Sequence, residues 1–415
     1  MSGHRSKRIV VVGCGQAGLQ AAISLRQRGH TGPISMIECE STGAYQRPPL
    51  SKNFILSKAD CSDLAIRKDS FYRDQNIELL TGRLASSIDR ARKAVVLSDR
   101  SELGYDCLAL ATGASARPLA VQGSEHAHYL RGFEDALALR TAFRAARQIA
   151  IVGGGYIGLE LAASARKMGL EVTVLEAADR VLGRVVAPET SRFFAALHRE
   201  RGALIQLNTA ISSIVKSRSG RLLVSCANGF QTEVDVVVAA VGAMPRTELA
   251  EVANLDTEGG IVVDVRCRTS DPLIYAAGDC TSQQLQTTGR FSRVESVQNA
   301  IAQGNQVAAS ILELDAPAPD VPWFWSDQYD MKLQIAGLSV GYDRIEVHGE
   351  PGDGSFSVAY FRNSALIALD AINRPQDFVR ARKAIGHLQQ SLAQENKETE
   401  VSAQNGAGDG PHQFH

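Results

Sequence analysis

Two glycine-rich segments of the chain have the spacing that proteins use to bind the pyrophosphate of a dinucleotide. The first is Gly13-Cys14-Gly15-Gln16-Ala17-Gly18, and a second copy further along the chain is Gly153-Gly154-Gly155-Tyr156-Ile157-Gly158. Glycines at these positions let the backbone turn tightly next to a phosphate, and the helix that follows offers its N-terminal amides to the negative charge. Two copies therefore predict two bound dinucleotides, between which electrons can pass.

An acidic residue after the second copy indicates which nicotinamide dinucleotide binds there. Glu176 follows the apolar run 172–175. A carboxylate at this point accepts both hydroxyls of an adenosine ribose and repels a 2′-phosphate. No arginine or lysine stands directly beside it, because Ala177 and Ala178 follow. The second site is therefore predicted to prefer NADH to NADPH.

Each glycine segment follows an apolar run and precedes a helical pattern, which predicts a strand, a turn and a helix. Such alternation of strands and helices is typical of parallel sheets. A third piece, 261–279, precedes a further predicted helix at 294–312. The other predicted elements are 9–12, 19–27, 34–37 and 107–111 in the first repeat, and 149–152, 159–168, 172–175 and 236–241 in the second.

The pattern changes after a segment of alternating alanine and proline at 316–320, which is predicted to be a linker. Short apolar runs separated by turn residues predict an antiparallel α+β domain there. From residue 394 the chain is almost free of apolar residues, and this tail is predicted to be disordered. The predicted strands of the C-terminal domain are 333–336, 344–348, 356–361 and 366–371.

The composition is that of an ordinary soluble protein, with 44% hydrophobic and 21% charged residues and a net charge of -1. This charge balance predicts no affinity for nucleic acid or for an anionic membrane. The seven cysteines are scattered and the nine histidines form no metal-spaced cluster. We therefore expect reduced thiols, no metal site and, since no signal peptide is evident, a cytoplasmic location.

Several further segments resemble the FAD-dependent, NADH-linked ferredoxin reductases of bacterial oxygenase systems, over about residues 8–390. The resemblance implies two Rossmann-like dinucleotide-binding domains and a C-terminal α+β domain with an antiparallel sheet. The implied domains are 1–117 and 244–318 for FAD, 118–243 for NAD, 319–393 at the C-terminus, and the tail 394–415. The segments are Arg47-Pro48-Pro49-Leu50-Ser51-Lys52, Ala111-Thr112-Gly113, Gly278-Asp279, Arg293-Val294-Glu295-Ser296-Val297 and Pro322-Trp323-Phe324-Trp325-Ser326-Asp327-Gln328.

The resemblance also implies three residues at the reacting centre. Lys52 is expected beside flavin N5, paired with Glu160, where a cation stabilises the reduced ring. Trp325 is expected to pack against the flavin and the nicotinamide, unless it is an ordinary core tryptophan. Hydride would pass from NADH to FAD, mainly through positioning. Single electrons would then reach a 2Fe-2S ferredoxin that feeds a monooxygenase or a dioxygenase.

The cofactor-binding residues implied by the resemblance surround both glycine segments. Asp279 is expected on the ribityl hydroxyls, the Val297 amide at flavin O2, Arg131 on the pyrophosphate and Ala85 at the adenine. The full predicted set is Gly13, Gly15, Ala17, Gly18, Glu38, Cys39, Glu40, Arg47, Pro49, Lys52, Ala85, Ala111, Thr112, Gly113, Arg131, Gly153, Gly155, Tyr156, Ile157, Gly158, Glu160, Glu176, Arg184, Gly242, Gly278, Asp279, Glu295, Ser296, Val297 and Trp325.

The acid that would hold the FAD ribose is open between three neighbours. Counted back from Lys52, the family's acid falls on Cys39, where this chain has no carboxylate, and Glu38 and Glu40 flank it. Either glutamate is suitable. Glu38 is favoured because it directly ends the predicted strand.

The cysteines favour an external electron acceptor. Disulfide reductases of similar architecture carry a CxxC or CxxxxC pair near the flavin, and this chain has neither. Cys39 and Cys61 lie outside the predicted flavin-facing segment 47–52. Two alternatives remain: an NADH oxidase or disulfide reductase of the same fold, and a redox interaction protein similar to apoptosis-inducing factor.

Six basic residues are predicted to dock the ferredoxin, because such partners are usually acidic and complementary charge speeds association. The alternative is an ordinary solvated basic face. The chain itself is expected to be a monomer or a weak dimer. The predicted docking residues are Arg290, Arg293, Arg374, Arg380, Arg382 and Lys383.

Overall fold

The computed structural model describes residues 5–284, 289–315 and 320–388. These residues form two compact units. The first unit contains the described residues up to 315 together with Ser326–Asp330, and the second contains Asp320–Trp325 and the described residues from Met331 onward. The predicted tail at 394–415 and the linker residues 316–319 lie outside the described residues.

The first unit contains a parallel sheet of five strands that carries the first glycine segment. In spatial order the strands are Ile274–Ala276, Cys107–Leu110, Ile9–Val12, Ile34–Glu38 and Ile77–Thr81. The central strand is apolar throughout and wholly buried, as expected where helices cover both faces of a parallel sheet. Because the edge strand Ile274–Ala276 comes from far along the chain, the second repeat is an insertion in the first.

A second parallel sheet of five strands carries the second glycine segment. Its spatial order is Leu204–Gln206, Glu171–Leu175, Gln148–Val152, Val236–Ala239 and Ala127–Tyr129. Again the strand before the glycines is central and almost completely buried. The predicted pair of Rossmann-like sheets is therefore confirmed, whereas the predicted boundaries near 117 and 243 stay a prediction.

The helices of the first unit cover these two sheets. Their bounds are Gln16–Gln27, Asn53–Leu56, Cys61–Leu64, Asp69–Asp74, Phe133–Ala145, Tyr156–Lys167, Pro188–Glu200, Glu248–Val252 and Val297–Ile311, with 3-10 turns at Pro48–Ser51 and Ser124–His126. The helices after the two glycine segments begin at residues 16 and 156, three residues earlier than predicted. Residues that read as turn from the sequence are in fact the first turn of each helix, and Gly15 and Gly155 are the N-caps.

Small sheets that the sequence analysis did not predict complete the first unit. Most of their strands are only partly buried and mix polar with apolar residues, so they lack the continuous apolar runs that identify a central strand. The groups are Ala85–Asp89, Ala94–Leu97 and Glu102–Gly104; Ile211–Lys216, Leu222–Cys226 and Gln231–Val234; Ala114–Ala116 and Ala243–Pro245; and Ile261–Val263, Thr281–Gln284 and Phe291–Ser292.

The second unit is built on a five-stranded sheet and a helix at 375–388. The sheet is ordered Trp323–Gln328, Met331–Gly337, Ala365–Ile372, Ser355–Arg362 and Arg344–Glu350, and the last three residues of its first strand belong to the first unit. The pairings among the last four strands are antiparallel. The predicted C-terminal antiparallel sheet is confirmed, and Trp323–Gln328 is a strand that was not predicted. No helix in the described ranges is long and apolar enough to cross a membrane.

Candidate active site

The two glycine turns have nearly the same backbone geometry. Gly13 has φ +100° and Gly153 has φ +107°, a region that residues with a side chain rarely adopt. A Cβ on Gly13 would lie 2.2 Å from the carbonyl oxygen of Ala111, and one on Gly153 would lie 2.4 Å from that of Ala240. Glycine is therefore required at both positions by conformation and by contact.

The middle glycine of each segment, Gly15 or Gly155, faces open space in which a cofactor could fit. A Cβ on Gly15 or on Gly155 would meet no protein atom within 4 Å. Both residues are helix N-caps without a side-chain cap, so the first amides of each helix have no side-chain acceptor at the cap position. Unobstructed space beside helix-terminal amides fits a dinucleotide pyrophosphate.

Glu38 and Glu176 occupy equivalent positions in the two repeats. Glu38 Oε2 accepts a hydrogen bond of 2.7 Å from the Cys14 amide, and Glu176 Oε2 accepts one of 2.7 Å from the Gly154 amide. The second oxygen of each carboxylate accepts from the amide two residues further on, at 3.0 Å from Glu40 and 2.8 Å from Ala178. Each acid is thus held at the glycine turn that it follows in sequence.

The other two candidates for the contact with the FAD ribose, Cys39 and Glu40, have different surroundings. Cys39 is exposed, and its thiol donates to Glu38 Oε1 at 3.4 Å. Glu40 accepts from the Tyr45 hydroxyl at 2.7 Å and forms a 2.9 Å ion pair with Arg47. Only Glu38 therefore lies at a glycine turn as Glu176 does.

Arg47, Arg131 and Asp279 are brought together from distant parts of the chain. The Arg47 guanidinium donates to the Arg131 carbonyl at 2.8 Å, and Arg131 forms a 2.7 Å ion pair with Asp279. The buried Nε of Arg131 has no hydrogen-bond partner among the described residues. A positively charged group with a spare donor is suitable for a phosphate.

A buried ion pair joins the helix of the second repeat to the segment after the first. Lys52 Nζ lies 2.7 Å from Glu160 Oε2, and Glu160 is only 2% exposed. Lys52 also donates to the Pro48 carbonyl at 3.1 Å, while the Ser51 hydroxyl donates to Glu160 Oε2 at 2.5 Å. Within the part of the chain that the structure describes, these two acceptors leave one of the three ammonium N–H groups without a hydrogen bond. That donor is available to a cofactor.

A third hydrogen bond to Glu160 comes from a residue to which the sequence analysis assigned no role. The Ser326 hydroxyl donates to Glu160 Oε1 at 2.7 Å, and Ser326 is fully buried. The segment that contains Ser326 was recognised by its resemblance to a family, but no sequence signal connects it with a glutamate so far away. His198, which contacts the same network through Gln328, carried no signal at all.

The helix Val297–Ile311 begins beside Gly278. The Ser296 hydroxyl oxygen accepts from the Asn299 amide at 3.1 Å, which explains why the helix starts three residues later than predicted. Gln303 of this helix accepts from the Gly278 amide at 2.7 Å. The segment around Gly278 is thus held against this helix, and the roles predicted for Gly278 and Val297 stay predictions.

The remaining predicted residues lie at several places. Thr112 donates to the Arg246 carbonyl at 2.7 Å, and Ala85 begins the strand Ala85–Asp89. The Arg184 guanidinium lies 3.7 Å from where a Cβ on Gly242 would be. Trp325 belongs to the second unit, where its ring centroid is 5.8 Å from that of Trp323. Its predicted packing on the flavin stays a prediction.

All seven cysteines are free, and none is poised as a thiolate. Burial raises the pKa of the Cys14 thiol to about 12. Burial likewise raises the pKa of Cys39 and of Cys61, the two thiols that the sequence analysis had considered. Since the thiolate is the reactive form of cysteine, these surroundings do not favour thiol chemistry.

Comparison with known proteins agrees with this geometry. Residues 7–304 match the family described as pyridine nucleotide-disulphide oxidoreductase, and residues 323–404 match the one described as reductase C-terminal. Putidaredoxin reductase of Pseudomonas putida is 41% identical over 389 residues, with 92% of each chain covered. A rubredoxin-NAD(+) reductase of the same organism is 41% identical over 372 residues, covering 89% of this chain and 96% of the relative.

A solved structure resembles this chain in both sequence and fold. It is the covalent putidaredoxin reductase–putidaredoxin complex, with 40% identity, a TM-score of 0.89 and coverage of 92% of this chain and 93% of the other. The two family matches together include both glycine turns and the C-terminal sheet. The chain therefore belongs to the pyridine nucleotide-disulphide oxidoreductase family, as an FAD-dependent oxidoreductase whose second dinucleotide is NAD(H).

Proposed function

We propose that this protein is an NADH-dependent ferredoxin reductase that supplies single electrons to a 2Fe-2S ferredoxin, which in turn feeds a monooxygenase or a dioxygenase. The observation that carries the proposal is the buried Lys52–Glu160 pair, which lies where the two dinucleotide-binding repeats meet. The likeness to putidaredoxin reductase over nearly the whole of both chains supports the choice of acceptor.

The first glycine turn is the proposed FAD site. The helix amides after Gly15 would face the pyrophosphate. Glu38 would accept hydrogen bonds from the adenosine ribose hydroxyls, in the way proposed for Glu176 in the second repeat. Their matching hydrogen bonds to the glycine turns support this choice of acid over Cys39 and Glu40. Arg131 neutralises phosphate charge, and Asp279, held by Arg131, takes the ribityl hydroxyls.

The second glycine turn is the proposed NADH site. Glu176 accepts hydrogen bonds from two backbone amides, which hold its carboxylate at the glycine turn, where it would accept hydrogen bonds from the ribose hydroxyls. The same charge repels a 2′-phosphate, so NADPH is disfavoured. Bound FAD would supply the chemistry that accepts a hydride from NADH and passes the two electrons on singly.

Lys52 and Glu160 act at the meeting point of the two sites. Glu160 holds the Lys52 ammonium through a charged hydrogen bond, and the remaining N–H of Lys52 would be available to the flavin near N5. A fixed cation here favours the gain of negative charge on the ring without any movement of the protein.

An external electron acceptor is favoured because the cysteines of the chain are unsuited to accept electrons from the flavin. The thiols have raised pKa values, and none forms a disulfide. A disulfide reductase or a thiol-dependent oxidase of this fold would need a thiolate beside the flavin. A rubredoxin remains an acceptor to be tested, because one relative is named for it.

Three of the six predicted docking residues are engaged in ion pairs. These pairs are Arg293–Glu295, Arg374–Asp377 and Arg382–Asp320. Arg290 of the first unit and Arg380 and Lys383 of the second unit are exposed. We propose that Arg380 and Lys383 contribute most to docking, since a paired guanidinium already has a carboxylate partner.

The test is anaerobic reduction of purified acceptors by NADH. We expect rapid reduction of a 2Fe-2S ferredoxin, slower with Lys383→Glu and at high salt, whereas the exposed control Lys216→Glu behaves as wild type. Faster turnover with rubredoxin would reassign the acceptor. Turnover of oxygen or of a disulfide at the same rate without any ferredoxin would overturn the proposal. Gel filtration of the purified protein tests the predicted monomer or weak dimer.

A further inference from the structure

A chain of buried hydrogen bonds leads away from Glu160 to a histidine on another helix. Ser326 donates to Glu160 Oε1 at 2.7 Å, and Gln328 Nε2 donates to Ser326 at 3.2 Å. Gln328 Oε1 then lies 2.9 Å from His198 Nε2. Ser326, Gln328 and His198 are all fully buried, so water does not compete for these groups.

The ionised carboxylate fixes the direction of every bond in this chain. Glu160 can only accept, so the single hydroxyl proton of Ser326 points to it. Ser326 must then accept from the Gln328 amide nitrogen, which turns the amide oxygen towards His198. Nε2 of His198 therefore carries the proton, and Nδ1 accepts.

The last hydrogen bond of the series, between Tyr329 and His198, is consistent with the same donor and acceptor assignment. The Tyr329 hydroxyl lies 3.3 Å from His198 Nδ1, at the distance of a weak hydrogen bond. Burial raises the pKa of Tyr329 to about 12, so its hydroxyl keeps the proton that it donates. Burial lowers the pKa of His198 to about 4, so the imidazole is neutral near pH 7 and has one donor and one acceptor.

We propose that His198, acting through Gln328 and Ser326, is a positioning residue that holds the Glu160 carboxylate, and so the Lys52 ammonium, in the orientation used at the flavin. The inference rests on the proposed role of Lys52 beside the flavin. These hydrogen bonds orient the Glu160 carboxylate. They do not conduct protons, because the Gln328 amide cannot readily take up and release one. Removing His198 leaves the buried Gln328 oxygen unpaired and free to rotate.

The first experiment measures the reduction potential of the bound FAD in the holoenzyme. Lys52→Met should make the potential more negative. His198→Leu should shift it in the same direction by less, and should slow FAD reduction by NADH about three- to tenfold. In the Lys52→Met background, His198→Leu should add no further shift, because the two residues act through one carboxylate. The control is His128→Leu, at a partly buried histidine outside this series of hydrogen bonds, and it should leave the potential unchanged.

The outcomes separate this inference from the proposed function. If Lys52→Met leaves the potential unchanged, the role of Lys52 is wrong. If Lys52→Met shifts the potential but neither His198→Leu nor Gln328→Met does, only the positioning role is wrong. Gln328→Met keeps the length of the side chain and serves if His198→Leu does not fold. An additive shift in the double variant would also overturn the inference.

A second readout does not depend on turnover. Nitrogen-15 NMR of the imidazole in the holoenzyme should show the Nε2–H tautomer of His198. Glu160→Gln adds a donor at the head of the chain, so the opposite direction of all the bonds becomes possible and the Nδ1–H tautomer should appear. An identical tautomer in both proteins would mean that Glu160 does not control His198, which contradicts the proposal.

Discussion

The two glycine turns share one backbone geometry but differ in what covers them. At equivalent positions on the following helices, Ala17 is 5% exposed and Ile157 is 43% exposed. The helix Val297–Ile311 packs on the first turn so closely that a Cβ on Gly304 would lie 2.7 Å from the Ala17 carbonyl oxygen. A Cβ on Gly278 would lie 3.0 Å from the Ala17 Cβ.

The helix of the second repeat is contacted elsewhere along its length. Ser164, two turns further on, donates to the Ser51 carbonyl at 2.8 Å, and Glu160 pairs with Lys52, while Ile157 at the N-terminus stays exposed. One fold thus forms an enclosed turn and an open turn. We expect the enclosed turn to retain its dinucleotide and the open turn to exchange it.

The largest effects are expected from the glycines with positive φ. Gly13→Ala should lose FAD, and Gly153→Ala should keep FAD but lose NADH binding. In each case the strain and the contact with a carbonyl oxygen cost on the order of 3 kcal/mol or more. Flavin absorbance and NADH titration measure the two outcomes. Gly220→Ala, which has φ +85° and no atom within 4 Å, is the control and should keep both ligands. Equal losses in both variants would contradict two separable sites.

The next effect is on stability in acid, and it concerns the second repeat. His198 has a pKa of about 4 when folded and near 6.5 when unfolded, so the unfolded chain binds more protons between these values. The free energy of unfolding should therefore fall by up to about 3 kcal/mol as the pH drops from about 7 to about 4. Urea unfolding at several pH values measures this change. In His198→Gln the free energy of unfolding should fall by less over the same pH range, because the contribution of His198 is gone.

Hydrogen exchange makes the same comparison locally. Near pH 5 the helix Pro188–Glu200, which carries His198, should lose protection before the helix Gln16–Gln27 does. Loss of protection in the opposite order would disagree with this account.

A smaller effect is expected from exchanging side chains between the two turns. Ala17→Ile forces a large side chain against Gly278 and should destabilise the protein by about 2 kcal/mol. Ile157→Ala removes an exposed side chain and should change stability by less than about 0.5 kcal/mol. Thermal unfolding of the two variants measures both values, and similar losses would mean that the turns are covered alike.

The smallest predicted effect is on the choice of nicotinamide dinucleotide. Glu176→Ser should lower kcat/KM for NADH about tenfold and affect NADPH less, since the repulsion of a 2′-phosphate is lost. Glu38→Ser, the matching change in the first repeat, should weaken FAD retention without altering this preference. Steady-state kinetics with each dinucleotide provides the measurement. An equal fall for NADH and NADPH would count against the assignment.

Much of the fold was predictable because its signals are local. Ile9–Val12 and Gln148–Val152 are nearly continuous apolar runs followed by glycines, which identifies central parallel strands and their turns. The small sheets were missed because strands such as Ala85–Asp89 are only partly buried and have no continuous apolar run. Helix starts were misplaced by three residues for two reasons. Two helices begin directly after glycine N-caps, inside segments that read as turns, whereas the third begins at Ser296, whose hydroxyl caps the Asn299 amide.

The sequence by itself determined two dinucleotide turns, the position of Glu176 and the absence of a paired thiol motif, since each follows from residue types at fixed short spacing. Only the tertiary structure decided that Glu38 is the counterpart of Glu176 and that Glu160 receives hydrogen bonds from Ser51, Lys52 and Ser326. The reason is physical. A glycine with positive φ is recognisable within a few residues, whereas a buried charge is stabilised by whichever distant groups the packing brings within hydrogen-bonding distance.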